Sequence, residues 1–342
     1  MTLEIITGKD PWNAIYAGLD MPSIYASQAY LAAAAKADPK SMPELAVYRS
    51  GDTVCAHPYL KRSLPLETPG WDIISAYDFG GFWFDAPDPD RQASCLQAFT
   101  REFDKYCFEN GILTEFIRFC PFSHIPENDY YKVQRVANNV VVDLTTPDEQ
   151  IWTQYPSSLR RNIRKARSSG LVFTEDVDLD VFLDLYYDTL DRLGSRASYY
   201  FPGSFLSELP GIEIFGARDG NNEICASQVY LTDGNTVFYF LGASASTALD
   251  KRPNDFLFDQ MIRLLGKRGQ ARLHLGGGAA SLLRFKKKFS RATVPYYIGK
   301  KIFNPGGYDA LNAKLASKLH SESENIEKFN PTDFFPKYRY KD

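Results

Sequence analysis

Five of the eight residues from Arg160 to Arg167 are basic: Arg160, Arg161, Arg164, Lys165 and Arg167. On a helix, Arg160, Arg164 and Arg167 form one stripe with Arg161 and Lys165 beside it. Guanidinium forks match phosphate oxygens in pairs, so the stripe reads as an anion site for a diphosphate or an RNA backbone. It reads equally as a solvated face paired with the acidic stretch 175–180. Arg196 and Tyr200 stand four apart after a helical pattern over 182–193, a spacing that lets one helical turn aim a cation and a phenol at one phosphate or base. Further on, Leu275-Gly-Gly-Gly278 precedes the basic run Arg284-Phe-Lys-Lys-Lys288. Three glycines let a backbone approach a ligand closely or simply turn a corner.

Acyl transfer to an amine needs a neutral nucleophile, a partner for the developing oxyanion and a route for a proton. Only four histidines exist, His57, His124, His274 and His320, and no Ser–His–Asp grouping accompanies them. His274, on a strand before the glycines, reads as a packed residue, and no catalytic base is assigned. The five cysteines (Cys55, Cys95, Cys107, Cys120, Cys225) contain no C-x-x-C pair, which argues against a disulfide framework or a zinc knuckle and for a reducing, cytoplasmic setting. No metal site is expected.

These residues must be positioned by elements, and 342 residues suffice for two domains with separate cores. A net charge of −3 gives no global attraction to polyanions, so DNA is not an expected partner and any phosphate contact must be local. The start lacks the layout of a signal peptide and no apolar run approaches the ~20 residues of a spanning helix, leaving only peripheral membrane contact open.

The chain repeats itself. Ala46-Val-Tyr-Arg-Ser-Gly-Asp-Thr-Val-Cys55 and Ile214-Phe-Gly-Ala-Arg-Asp-Gly-Asn-Asn-Glu-Ile-Cys225 each read as strand, turn, strand. An aromatic strand ending in glycine follows each, at 77–81 and 238–242. Next come helices, carried by Leu96, Phe99, Phe103 and Tyr106 in one copy and Leu257, Met261 and Leu264 in the other. They stop at Asn110-Gly111 and Arg268-Gly269, and a further strand follows each. The pattern predicts an α/β chain of two mixed sheets with flanking helices: residues 1–140, residues 141–303 and a tail, 304–342, packed on them or partly mobile. Thr146 or Asp148 is expected to cap the first helix of the second copy. Hairpin, strand, crossover helix and strand is the order at the centre of GNAT acyltransferases.

The runs Tyr155-Pro-Ser-Ser-Leu-Arg-Arg-Asn-Ile-Arg-Lys-Ala-Arg, Phe182-x-x-Leu-Tyr-x-x-Thr-Leu-x-Arg192 and Leu275-Gly-Gly-Gly…Leu283-x-Phe-Lys-x-x-Phe289 together resemble the FemABX aminoacyltransferases. The resemblance covers roughly 140–302 and extends loosely over 20–135. It implies two tandem GNAT-like domains that form an amide on an amine of a nucleotide- or lipid-linked cell-wall or surface-polysaccharide precursor. Aminoacyl-tRNA is the implied donor, acyl-CoA the alternative co-substrate, and no cofactor is held tightly. It further implies that Arg196 and Tyr200 hold a UDP group, with Tyr239 and Lys36 as further substrate contacts. Phe285 and Lys286 would stand at the transfer centre, Lys286 facing the developing charge. A GNAT acetyl-CoA site needs a glycine-rich loop before the crossover helix. Neither 82–91 nor 244–255 has that cradle, and Asn254 is expected to cap the second crossover helix instead.

Overall fold

The first hairpin joins strands Ser41–Ser50 and Thr53–Ser63 in register from Ser50↔Thr53 to Ser41↔Arg62. In the computed structural model, which describes residues 2–123, 125, 131–321 and 334–340, the chain divides into two compact units. One comprises Met1–Val136 and Tyr296–Asp342, the other Ala137–Pro295. Strand Thr2–Ile6 edges the sheet of the first unit, followed by the hairpin and strand Trp71–Ile74, all antiparallel. The helix Pro89–Glu109 then crosses over, so that strand Ile112–Arg118 pairs parallel to Trp71–Ile74. Asp88 starts this helix by accepting from the Asp90 and Arg91 amides. Its apolar face seats Phe99 and Phe103 in a core with Tyr59, Phe82 and Tyr131. The C-terminal part of the unit adds residues 298–302, antiparallel to Ile112–Arg118, and the helix Pro305–Ser321.

The second unit repeats the order. Strands Ile212–Arg218, Ile224–Asp233 and Thr236–Ser244 are antiparallel neighbours, helix Pro253–Lys267 crosses over, and Arg272–Gly276 lies parallel to Thr236–Ser244. Residues 140–143 pair antiparallel to Arg272–Gly276 on one side, and Val172–Thr174 closes the opposite edge. Helices Ser157–Ser168 and Leu179–Leu193 complete the unit. Its core packs Leu159 and Ile163 of the basic helix with Phe258, Met261 and Leu265 of the crossover helix.

Three local expectations differ. Residues 77–81 form no strand; the paired segment is Trp71–Ile74, because Asp78 takes a left-handed conformation, φ 66°, that breaks extended backbone. The helix Asp148–Gln154 starts after Pro147 with no side-chain cap, and Asp148 lies inside its first turn. Residues 296–303 belong with the first unit, as does the described part of the tail, where Tyr308, Leu311 and Tyr338 pack with Leu64 and Leu113. Residues 322–333 of the tail, and His124, lie outside the described residues. No disulfide joins the five buried cysteines. Among the described residues no helix is long and apolar enough to cross a membrane, and no group of acidic, Cys and His side chains is placed to hold a metal.

Candidate active site

The parallel strands Thr236–Ser244 and Arg272–Gly276 pair only from Thr236↔Arg272 to Phe238↔His274. Beyond Phe238 they share no rung of the ladder. A register shift on the other side of Thr236–Ser244 sets Tyr230 opposite Tyr239 but Val229 opposite Leu241, so Phe240 is the extra residue of a bulge. The short helix Ala280–Lys286 returns the chain to this place. Lys286 is only 5% exposed; its Nζ donates to the Gly277 carbonyl at 2.8 Å and lies 5.2 Å from the centre of the Tyr239 ring. The glycines make that return possible. Gly276 and Gly278 hold φ of 72° and 129°, and a Cβ on Gly277 would stand 2.7 Å from Asn139 Oδ1.

A buried ammonium needs compensation, which the Gly277 carbonyl and the negative face of the Tyr239 ring supply. His274, buried on the neighbouring strand, is pushed down to about 3 by burial and then by the charge of Lys286. It is neutral at physiological pH and too weak a base to match a general-base role there. Burial raises the Tyr239 phenol above its ordinary value, keeping it protonated. The phenol of Tyr186, on helix Leu179–Leu193, is likewise raised by burial and then by nearby tyrosines, Tyr239 first among them. A fixed cation beside the Tyr239 ring in a desolvated setting can stabilise an oxyanion that forms during reaction.

Gly242 sets the position of Tyr239. A Cβ there would fall 2.2 Å from the Tyr239 hydroxyl, so the ring must move to admit even a methyl group. Gly242→Ala should therefore destabilise the protein by about 1–3 kcal/mol, the usual range for overpacking, and displace the ring from Lys286. A melting temperature equal to that of the parent protein would count against this packing.

The other expected residues distribute as follows. Phe285 is half-buried and packs on the edge of the core against Phe258 and Phe289, with ring centres 5.7 and 5.5 Å away. Arg196 is exposed and Tyr200 half-buried, and the turn joining them is the 3₁₀ segment Ala197–Tyr199 rather than α-helix. The Tyr200 hydroxyl donates to Asp191 at 2.5 Å and its ring stacks on Tyr187. The basic helix forms as expected, but three of its five cations work locally, while Arg161 and Lys165 are exposed. Arg160 donates to the Thr153 carbonyl at 3.1 Å and to that of Trp152, closing the helix Asp148–Gln154. Arg164 sits 5.8 Å from the centre of the Trp152 ring, and Arg167 pairs with buried Asp259 at 2.9 Å. Among the described residues no ion pair joins the acidic stretch 175–180 to this helix; Glu175 pairs with Arg268. Lys36 is exposed on helix Gln28–Ala37 of the first unit. The structure thus brings Lys286 and Tyr239 into contact and puts Arg160 and Arg164 to structural use.

Sequence reasoning missed how the loop before the second crossover helix is closed. Ser244, at the end of its strand, donates its N–H to Thr189 Oγ1, and its carbonyl accepts from Thr189 and from Arg192. Asn254 caps nothing; its amide donates to Ser244 Oγ at 3.3 Å. Residues Ser246–Lys251 coil into a 3₁₀ helix, and Arg252, at φ 63°, leads into Pro253. Asp255, buried in the first turn of the crossover helix, places a carboxylate beside the helix N-terminus, where a pyrophosphate would otherwise gain from the dipole. These residues do not fit the pyrophosphate of acetyl-CoA in the usual cradle. Thr189 and Arg192 stand in the motif Phe182-x-x-Leu-Tyr-x-x-Thr-Leu-x-Arg192, but their partner Ser244 is more than fifty residues away and spacing does not point to it.

Residues 155–287 match the acetyltransferase (GNAT) domain family. No curated protein matches the sequence. Among solved structures the chain is similar to FemX, with a TM-score of 0.66 at 12% identity over 91% of this chain and 99% of that one. It is also similar to L-PGS from Bacillus licheniformis, at TM-score 0.55 and 13% identity over 86% and 92% of the two chains. A tandem GNAT protein from the clavulanic acid biosynthesis pathway gives TM-score 0.50 at 10% identity over 89% and 99%. The chain has the GNAT fold, with an acetyltransferase-type domain in residues 155–287.

Proposed function

We propose that the protein is an aminoacyltransferase that forms an amide on an amine of a nucleotide- or lipid-linked cell-wall or surface-polysaccharide precursor, with aminoacyl-tRNA as donor, in the cytoplasm. The observation that carries this reading is Lys286, a buried cation fixed between Gly277 and Tyr239 where two parallel strands part. The resemblance to the FemABX enzymes and the closed loop before the second crossover helix support an ester rather than a CoA thioester as the acyl source. In the reaction the amine attacks the ester carbonyl, the C–N bond forms, the C–O bond breaks, and the proton lost by the amine ends on the departing hydroxyl. Lys286 faces the negative charge that develops on the carbonyl oxygen between these events. Arg196 and Tyr200 hold the phosphate side of the acceptor, Lys36 and Tyr239 serving as further substrate contacts.

The match to the acetyltransferase domain favours a second reading, an N-acyltransferase that draws on acyl-CoA or an acyl carrier to acylate an amino sugar. A mass-spectrometric screen that crosses aminoacyl-tRNA, acyl-CoA and acyl carrier donors with UDP-linked muropeptide and amino-sugar acceptors separates the two. Product from acyl-CoA alone overturns the first reading. Absence of product with every donor and acceptor pair favours an idle scaffold that only binds its ligand.

Arg196 is asked only for binding shared by ground and transition states. Arg196→Ala should raise KM for the acceptor by roughly ten- to hundred-fold, from ~1.5–3 kcal/mol for a charged hydrogen bond, and leave kcat nearly unchanged. An unchanged KM removes Arg196 from the site.

A further inference from the structure

Gln228, on strand Ile224–Asp233, stands directly opposite Gly242 on strand Thr236–Ser244. Residues opposite one another on antiparallel strands share a face of the sheet, so the Gln228 side chain rises beside the place where the Tyr239 hydroxyl crowds Gly242. Two residues along, Tyr230 faces Tyr239 with ring centres 5.8 Å apart, and its hydroxyl donates to Gln228 Oε1 at 2.6 Å. A turned amide would strand both its own oxygen and the phenol proton, so this bond fixes which end of the amide is which. Burial and then the neighbouring Tyr239 raise the Tyr230 phenol above its ordinary value, which keeps the proton in that bond. Among the described residues Gln228 Nε2 then has no hydrogen-bond partner, although Gln228 is 0% exposed. A buried N–H without an acceptor destabilises a fold, and a hydrocarbon side chain of similar size would avoid that cost, so its presence points to a use.

The surroundings limit what this N–H can serve. Apolar rings close the face around it, Phe215 opposite Gln228 on the strand at the other side and Phe258 of the crossover helix 4.8 Å from the centre of the Tyr239 ring. Among the described residues the Tyr239 hydroxyl makes no hydrogen bond either, so a donor and an acceptor without partners share one face. Gln228 is too deep to meet a substrate, whereas Tyr239 and Gly242 are half-buried, so the amide acts through the phenol. We propose that Gln228 is a positioning residue for the transfer reaction: with substrate bound, its N–H bonds to the Tyr239 oxygen and turns the phenol's own proton toward the carbonyl oxygen that Lys286 faces. Tyr230 stands one step further back and holds the amide by its oxygen. Lys286 lies over the face of the Tyr239 ring, so hydrogen bonds made at the hydroxyl leave the contact between cation and ring in place. This role rests on the transferase reading, and it serves an ester or a thioester donor alike, because both pass through the same oxyanion.

Gln228→Met made together with Tyr230→Phe removes the amide and the hydroxyl that would otherwise be orphaned, at nearly constant volume. The melting temperature of this pair should equal or exceed that of the parent, since no buried polar group is left behind. With whichever donor and acceptor pair forms product, kcat should fall roughly tenfold with little change in KM. Tyr239→Phe keeps the ring under Lys286 and removes only the hydroxyl, so kcat should fall by about a hundredfold. In the Tyr239→Phe background the Gln228 and Tyr230 substitutions should change kcat by less than about twofold, because the group they position is gone. A melting temperature several degrees below the parent's would assign the pair to the fold and overturn the proposal. A tenfold loss that persists in full in the Tyr239→Phe background would overturn it too. A parent protein that turns over no substrate pair overturns the transferase reading and this role with it, whereas an active parent whose Gln228 and Tyr230 variant keeps its kcat overturns this role alone.

Discussion

Lys286→Met should lower kcat by about a hundred- to a thousand-fold with little change in KM, the loss seen when one donor to a developing oxyanion is removed. Methionine keeps much of the length of the side chain and fills the space between Gly277 and Tyr239, so charge is the main thing withdrawn. The Gly277 carbonyl loses its donor from Lys286, which costs about 1–3 kcal/mol and should appear as a modest fall in melting temperature. Lys286→Arg tests whether any cation suffices. The ammonium is buried between the Gly277 carbonyl and the Tyr239 ring, so the broader, planar guanidinium does not reproduce its position, and activity should remain low although charge is conserved. Steady-state kinetics on both variants, made once the donor is identified, decide the matter. A kcat for Lys286→Met within about twofold of the parent value would show that the buried cation only shapes the fold, and the scaffold reading would then gain.

Features whose causes are local were legible in the sequence. Both hairpins, both crossover helices and their ends at Asn110-Gly111 and Arg268-Gly269 follow from turn residues and helical periodicity, and they form where those signals lie. Residues 77–81 were not legible, because alternation suggests a strand while the left-handed Asp78 depends on the packing around it. The stripe of Arg160, Arg164 and Arg167 was readable as a face, but its partners Trp152 and Asp259 were not, since neither spacing nor charge points to them. The run from Arg284 to Lys288 shows the limit most clearly. Its four cations look alike, yet Lys286 turns inward beside Phe285 and Phe289, while Arg284, Lys287 and Lys288 line a cleft of the second unit with Arg291. The helical rhythm of Arg284, Lys287, Lys288 and Arg291 was present in the sequence as a signal for one face, whereas the depth of Lys286 depends on a strand pair that parts beyond Phe238.

The largest effect on stability is expected at Asp72, which is fully buried on strand Trp71–Ile74 of the first unit. Two guanidiniums share its carboxylate: Arg62 donates to Oδ1 at 2.9 Å and Arg339 to Oδ2 at 2.8 Å. Burial lowers the Arg62 pKa, an effect that Asp72 partly offsets, so this carboxylate helps to keep a desolvated cation charged. Arg339 also donates to the Ser63 carbonyl, and the adjacent Tyr338 shares a 2.6 Å hydrogen bond with Thr114. Through Asp72 the last described segment is therefore fastened to the sheet of its own unit. Asp72→Asn keeps the shape but leaves two cations facing each other without a counter-charge. Removing one partner of a buried ionic group costs about 3–5 kcal/mol, against ~1 kcal/mol at most for an exposed pair. At about 2–4 °C per kcal/mol for a unit of this size, the melting temperature should fall by roughly 6–20 °C. Arg339→Ala removes the more exposed cation and leaves Arg62 on Asp72, so its cost should be smaller, about 1.5–3 kcal/mol, and it should expose the C-terminal segment to proteolysis. In the double variant the two losses should fall short of additivity, because Arg339 has no charge to meet once Asp72 is gone. Fully additive losses, or an Asp72→Asn protein within about 1 kcal/mol of the parent, would mean that water and nearby carbonyls already satisfy these cations and that the tail is held by Tyr308, Leu311 and Tyr338 alone.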